Sequence, residues 1–369
     1  MTMKWRTGPI GLALTAVALM APWSLASDGE DPFGRDLFGP PPAVTTPPDR
    51  VPDTVEPPKP VPPVPADPSL SPELVKAFEG VRADRPPKKL TNEKHYIVSN
   101  ERRLDFWANS IDDRGGIYIG VGTDQNYVLA GWCKPKVMVL MDFDQLVVDM
   151  QYVYWAFLKV SETPAAFIAR WTPDRPHRKE ARAIVEAAYK DRPQLLRRAL
   201  KAYRYSPKTV FKRLSKSRDS FTKHGVKTFL NDAEQYRIVR DLVEQNRVFA
   251  VRGDLLADKT LQDIANVARR FELKVRVLYL SNTEMYFNWV RGFKKNMLAL
   301  PMDDRSLVLR TLPVKPADYR YLVQAGPNFQ GWVRARSQKA VWNMYKKRRL
   351  LGEKGRSRLF VIDATPPAQ

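Results

Sequence analysis

The chain has 369 residues, enough for one large domain or two smaller ones with an ample core. Its 61 Lys and Arg against 40 Asp and Glu give a formal charge of +21 at pH 7, an excess that points to an anionic partner. Cys133 is the only cysteine and the histidines are three (His95, His177, His224), which excludes an intrachain disulfide and a cysteine-built metal site and leaves no basis for a His-rich zinc site.

Met1 to Ala26 opens with Lys4 and Arg6, continues through an apolar stretch from Pro9 to Trp23, and ends in Ser24-Leu25-Ala26. This pattern predicts a secretory signal peptide cut after Ala26, and hence export to the periplasm or the exterior. The alternative is an uncleaved N-terminal membrane tether, for which the apolar stretch is short against the roughly 20 residues of a full span. Residues 27–86 are proline-rich and net acidic, with Pro40-Pro41-Pro42, Pro57-Pro58 and Pro62-Pro63, and read as a disordered, extended linker. Within it, Ser71 to Val81 suits a short helix capped by Ser71 with Pro72 in its first turn.

Residues 87–369 form the expected folded domain. Ile117 to Ile119 run into Gly120-Val121-Gly122, and a second apolar run, Val137 to Met141, ends at Asp142 and Asp144. Such uninterrupted runs suit parallel strands covered on both faces. A helix follows from Gln145 to about Val160, then a basic helical insertion over about 161–246, with Pro193 and Ser206-Pro207 marking helix starts. Val248 to Val251 and Val275 to Leu280 are further strands, separated by a helix from Thr260 to Phe271. Another helix carries Tyr286, Trp289, Val290, Phe293 and Met297, and Leu307 to Leu309 and Leu359 to Ile362 fit late strands. A basic C-terminal extension covers about 313–369. The fold class is therefore α/β: a Rossmann-like, doubly wound, mainly parallel sheet with an inserted helical subdomain.

In such a sheet, loops after the carboxyl ends of strands share one rim, where ligands bind. Gly120 and Gly122 would let the backbone turn sharply and approach a ligand. Asp142 and Asp144 could hold ribose hydroxyls or simply cap the following helix. Gly253-Asp254 is either a ligand contact or a plain turn. Ser281-x-x-Glu284 has capping-box spacing, while Asn282 and Tyr286 carry groups able to hold a substrate. Ser99-Asn100-Glu101 is an ordinary turn or one whose Glu101 folds over the rim as a general base.

The succession GGIYIGVGTDQN, VMVLMDFD, NRVFAVRGDL, VLYLSNTEMYFNW and NMLALPMDDRS resembles a bacterial family without settled chemistry that carries a class I methyltransferase-like domain. The family pattern is GGVYLGVGPEQN, an acid after the second strand, a VxGD turn, YxSNxExYL and NxxxLP, with SNE upstream. The resemblance covers about residues 95–312. It implies an adenosyl-type ligand, S-adenosylmethionine or a relative, near Gly120, Gly122, Thr123, Asp124, Gln125, Asn126, Asp142, Asp144, Gly253, Asp254 and Ser281. Glu101, Asn282, Glu284 and Tyr286 then stand near the reacting group, and no metal is implied. Working methyltransferases have an acid where Tyr118 stands and a third glycine near Gln125, so a remodelled pocket is the companion reading.

The positive charge is concentrated. Arg175 to Lys227 holds 17 basic and 4 acidic residues, and Arg320 to Arg358 holds 11 and 1. The second segment interleaves Trp332, Trp342 and Tyr345 with cations. Such surfaces suit anionic polymers or lipid headgroups, in preference to nucleic acid for an exported protein. A non-enzymatic envelope protein using this face is the alternative to a methyltransferase-like enzyme, and a merely solvated basic surface is the bland reading.

Overall fold

The computed structural model describes residues 70–367 apart from 315–317 and 355–356, so the expected signal peptide and residues 27–69 of the expected linker lie outside the described residues. Within residues 70–86 a helix packs on the sheet and Asp84 is buried, which moves the start of the folded part forward from 87. Helix α1 (Pro72–Glu79) has the expected cap, Ser71 Oγ accepting from Leu74 N–H at 3.3 Å, and buries Leu74 and Phe78.

The chain then alternates strand and helix: α2 (Ala108–Ile111), β1 (Ile117–Val121), α3 (Gln125–Cys133), β2 (Val137–Asp142). Six helices follow before the next strand: α4 (Gln145–Val160), α5 (Pro164–Ala169), α6 (Arg175–Tyr189), α7 (Pro193–Tyr205), α8 (Pro207–Lys223) and α9 (Ala233–Glu244). The remaining elements are β3 (Val248–Arg252), α10 (Thr260–Arg270), β4 (Val275–Tyr279), α11 (Arg291–Ala299), β5 (Leu307–Val314), β6 (Asp318–Ala325), α12 (Gly326–Arg334), α13 (Val341–Tyr345), β7 (Arg349–Leu351) and β8 (Leu359–Val361).

One mixed sheet has the order β3-β2-β1-β4-β5-β6-β8-β7. The first five are mutually parallel, β6 is antiparallel to β5, β8 is parallel to β6, and β7 is antiparallel to β8. The order reverses between β1 and β4, the place in an open α/β sheet where the loops after neighbouring strands run to opposite faces. Alternation within the strands divides the core. Ile117, Ile119, Val137, Val139 and Met141 pack beneath α1, α10, α11 and α12, while Tyr118, Met138 and Leu140 pack beneath α3, α4 and the insertion.

Three expectations change. The insertion is helical as expected, but Phe167, Trp171, Tyr203, Leu214 and Phe221 share one core with the sheet, so it is no separate subdomain. Ser206 does not cap α8; its hydroxyl donates back to Tyr203 O at 3.1 Å. The stretch 313–369 is no extension either, since β6, β7, β8, α12 and α13 complete the sheet and its cover.

Candidate functional site: the carboxyl rim of the parallel sheet

The loop after β1 closes on its own side chains. Gly122 has φ +90°, a conformation glycine tolerates without strain. A Cβ on it would overlap Gln125 Nε2, and one on Gly120 would overlap Asn126 Oδ1 and the Tyr118 ring. Gln125 Nε2 and Asn126 Nδ2 both donate to Val121 O, at 3.2 and 3.0 Å, and Thr123 N–H donates to Gln125 Oε1 at 3.2 Å. Tyr118 donates its hydroxyl proton to Asn126 Oδ1 at 2.7 Å. Gly120 and Gly122 thus make room for the protein's own amides, and Thr123, Gln125 and Asn126 are buried.

Asp124 is also buried. Its Oδ2 pairs with Arg213 Nε of α8 at 2.7 Å, and its Oδ1 accepts from Ser99 N–H at 2.7 Å. Arg213 Nη2 donates in addition to Glu101 O at 2.9 Å, so one guanidinium ties the glycine loop, the Ser99-Glu101 turn and the insertion. Asp124 is thereby committed inside the protein.

At the end of β2 the two acids separate. Asp144 caps α4, Oδ1 accepting from Leu146 N–H at 2.9 Å, and its Oδ2 lies 2.7 Å from His95 Nδ1. Asp142 does not cap the helix. It is only partly buried and accepts from Asp144 N–H at 2.9 Å, with further backbone support from Gly122 and Phe143. Burial nevertheless pushes its carboxyl up to about 7, the backbone N–H groups pulling the other way. Gly253-Asp254 is a plain turn: a Cβ on Gly253 would press on Met141 and Thr260, and Asp254 Oδ1 accepts from Leu256 N–H at 2.9 Å. Asp84, which composition had placed in the linker, holds this turn by accepting from the N–H groups of Asp254, Lys259 and Thr260 at 3.0, 3.2 and 3.4 Å.

The loop after β4 is organised by Glu101. Its Oε1 accepts from Ser281 Oγ at 3.0 Å and Thr311 Oγ1 at 2.6 Å, and its Oε2 accepts from the Tyr279 hydroxyl. Burial raises this carboxyl against the opposing pull of Thr311, Tyr279 and Ser281. Enclosed and saturated in this way, Glu101 does not fold over the rim as a free base. Ser281 has φ +50° and faces Glu101, so the expected capping box does not form. Glu284 instead pairs with Arg310, Oε2 to Nε 2.6 Å, both fully buried, and Arg310 Nη1 donates to Gln324 Oε1 at 2.7 Å. Of the four expected catalytic residues, only Asn282 and Tyr286 reach solvent, Tyr286 being 51% exposed.

The rim therefore gathers Gly122, Asp142, Asp254, Ser281 and Asn282 at the ends of successive strands, but most of their polar groups are spent on one another. Asp142, beside Gly122, is partly exposed and accepts from the Asp144 N–H, with further support from the Gly122 and Phe143 N–H groups. Sequence reasoning missed Arg213, Tyr279, Thr311 and Asp84. Among the described residues, no group of three or more His, Cys, Asp or Glu side chains gathers in a way that could hold a metal ion.

The two basic segments differ. On α6, α7 and α8 the cations Arg178, Lys179, Arg197, Lys201, Arg204 and Lys208 are exposed. In the second segment Trp332 and Tyr345 are core residues, Arg348 lies over the Tyr345 ring at 3.9 Å, and Arg349 pairs with Asp363. The interleaved aromatics there are packing, except Trp342 at 40% exposure.

No curated protein matches the chain. A family model does match it over residues 96–360, which takes in every rim residue from Glu101 to Tyr286, and by that match the chain belongs to the family described as Domain of unknown function (DUF7790).

Proposed function

We propose that this protein is a methyltransferase-like member of the Rossmann-like class that binds an adenosyl-type ligand at the carboxyl rim, with Asp142 accepting its ribose hydroxyls. The observation that carries the reading is Asp142 itself, a partly exposed carboxyl at the end of β2, held by the Asp144 N–H beside Gly122. The 3-2-1-4-5 order of its parallel strands supports it, since a crevice opens where the order reverses. With Gln125 filling the Cβ side of Gly122, the ligand lies across the opposite side of that loop, toward Asp142. Asn282 and Tyr286 reach solvent in the loop after β4 and would meet an acceptor, positioning being the main demand of methyl transfer. Titration calorimetry with S-adenosylmethionine and S-adenosylhomocysteine tests this: saturable binding that Asp142→Ala abolishes is expected, and no heat at millimolar ligand refutes it.

A second reading rests on the exposed cations of α6 to α8, which suit anionic polymer or lipid headgroups. It predicts retention on anionic vesicles that falls steeply between low and high salt. Retention that ignores salt discards it.

A further inference from the structure

β3 is an edge strand, paired with β2 on one side only. Two bonds fix the phase of that ladder, Met138 N–H to Arg247 O at 2.9 Å and Gly253 N–H to Asp142 O at 3.0 Å. In a parallel ladder alternate residues turn both main-chain groups toward the same neighbour. Residues 247, 249, 251 and 253 therefore face β2, and Val248, Ala250 and Arg252 face away. At Arg252 the outward carbonyl accepts from Asp84 N–H at 2.9 Å. Among the described residues nothing bonds the outward groups of Val248 and Ala250.

These two residues line a cavity of about 600 Å³, within the range of small-molecule sites. Its lining includes five aromatic rings, Phe78, Tyr152, Trp155, Tyr189 and Phe249. Phe78 stacks on Phe249 with centroids 5.0 Å apart, and Tyr152 makes edge contacts with Trp155 and Tyr189 at 4.9 and 5.9 Å. The charged side chains at the cavity are Lys159, Arg192 and Glu79. Arg192 is exposed and has no ion pair among the described residues; a neighbouring hollow of about 450 Å³ shares it and Tyr152.

We propose that this cavity is a second ligand site, which takes a planar nitrogen heterocycle bearing an anionic group. The unpaired strand edge offers a fixed row of N–H donors and C=O acceptors, which ring nitrogens and exocyclic carbonyls or amines match. A hydrocarbon would bury those groups unpaired, at a cost. The aromatic lining favours a flat ring, and Arg192 favours a phosphate or carboxylate over a neutral substituent. None of the lining residues belongs to the rim, so this site stands whether or not an adenosyl ligand binds there.

Flavin mononucleotide, whose ring fluorescence is quenched by stacking, is the probe, with riboflavin as the same ring without phosphate. Titrated with the full chain, the nucleotide is expected to show saturable quenching and to bind more tightly than riboflavin. Arg192→Gln, at an exposed side chain, weakens the nucleotide about tenfold and leaves riboflavin unchanged, and Phe249→Leu weakens both. Asp142→Ala, at the rim, changes neither. Absence of saturable quenching overturns the proposal, as does an Arg192→Gln titration that matches the parent. Loss of the response in folded Asp142→Ala would place the probe at the rim and overturn it equally.

Discussion

Arg213 offers the sharpest test of how the rim is built. Its guanidinium is largely buried against Asp124, which is almost wholly buried, at 2.7 Å. Arg213→Leu removes the cation and leaves that carboxylate inside the protein, a change that costs about 3–5 kcal/mol in buried pairs. Asp124 keeps the Ser99 N–H at 2.7 Å and the Thr123 hydroxyl at 3.3 Å, which argues for the lower end, about 3 kcal/mol. At about 2 cal/mol/K of unfolding entropy per residue over about 300 residues, that is a Tm loss of about 5 °C. Asp124→Asn removes the orphaned charge, so Asp124→Asn with Arg213→Leu is expected to cost about 2 kcal/mol less than the two singles summed. Urea unfolding of the four proteins measures the cycle. The exposed pair Arg182–Glu186, at 2.8 Å, is the internal control, with a coupling of about 0.5 kcal/mol or less. A coupling at Arg213–Asp124 no larger than the control's would refute the argument that the insertion is tied to the sheet through this contact.

Three further outcomes are expected. Asp142 has a folded pKa raised to about 7 from 3.8, so its contribution to stability is fully present below about pH 4 and is lost as pH rises through 7; Asp142→Asn should flatten that slope by about 1–2 kcal/mol after allowance for partial exposure, read from urea midpoints between pH 4.5 and 8, and an unchanged slope counts against the assignment. Gly122→Ala, at φ +90° and against Gln125, should lose about 1–3 kcal/mol, and adding Gln125→Ala should recover only the steric part; full recovery in calorimetry would show the backbone to be unstrained. Glu101→Ala strands the hydroxyls of Ser281, Thr311 and Tyr279 and should cost about 2–4 kcal/mol, with Glu101→Gln costing less; equal losses would mean that packing, not hydrogen bonding, is what Glu101 supplies.

The parallel half of the sheet was legible because β1, β2, β3 and β4 are apolar runs that end in turn residues, the pattern of strands buried on both faces. β6 was not, although Tyr321 and Val323 point to one core and Leu322 to the other. Arg320 and Gln324 disguise it; their polar ends are taken up by Tyr345 and Arg310, partners that local sequence does not reveal. The same limit explains the loop after β4. Ser281 and Glu284 have the spacing of a capping box, yet each found a tertiary partner, Glu101 from 180 residues earlier and Arg310 from 26 later. Arg213 was one cation among 17 in its segment, and nothing but burial distinguishes it. The space beside the rim glycines is taken by amides only three to six residues downstream, a return contact that local sequence does not reveal.

The bonds made by Asp84 bear on the order in which the molecule comes together. Its carboxylate receives main-chain donors 170 to 176 positions later, so it emerges from the ribosome long before anything exists for it to hold. Until residue 260 has been made, part of what Asp84 holds is missing, and the outer margin of β2 stands bare until β3, six helices behind it, arrives. A nascent chain therefore keeps this margin of the sheet open through much of its synthesis and secures it in one late closure.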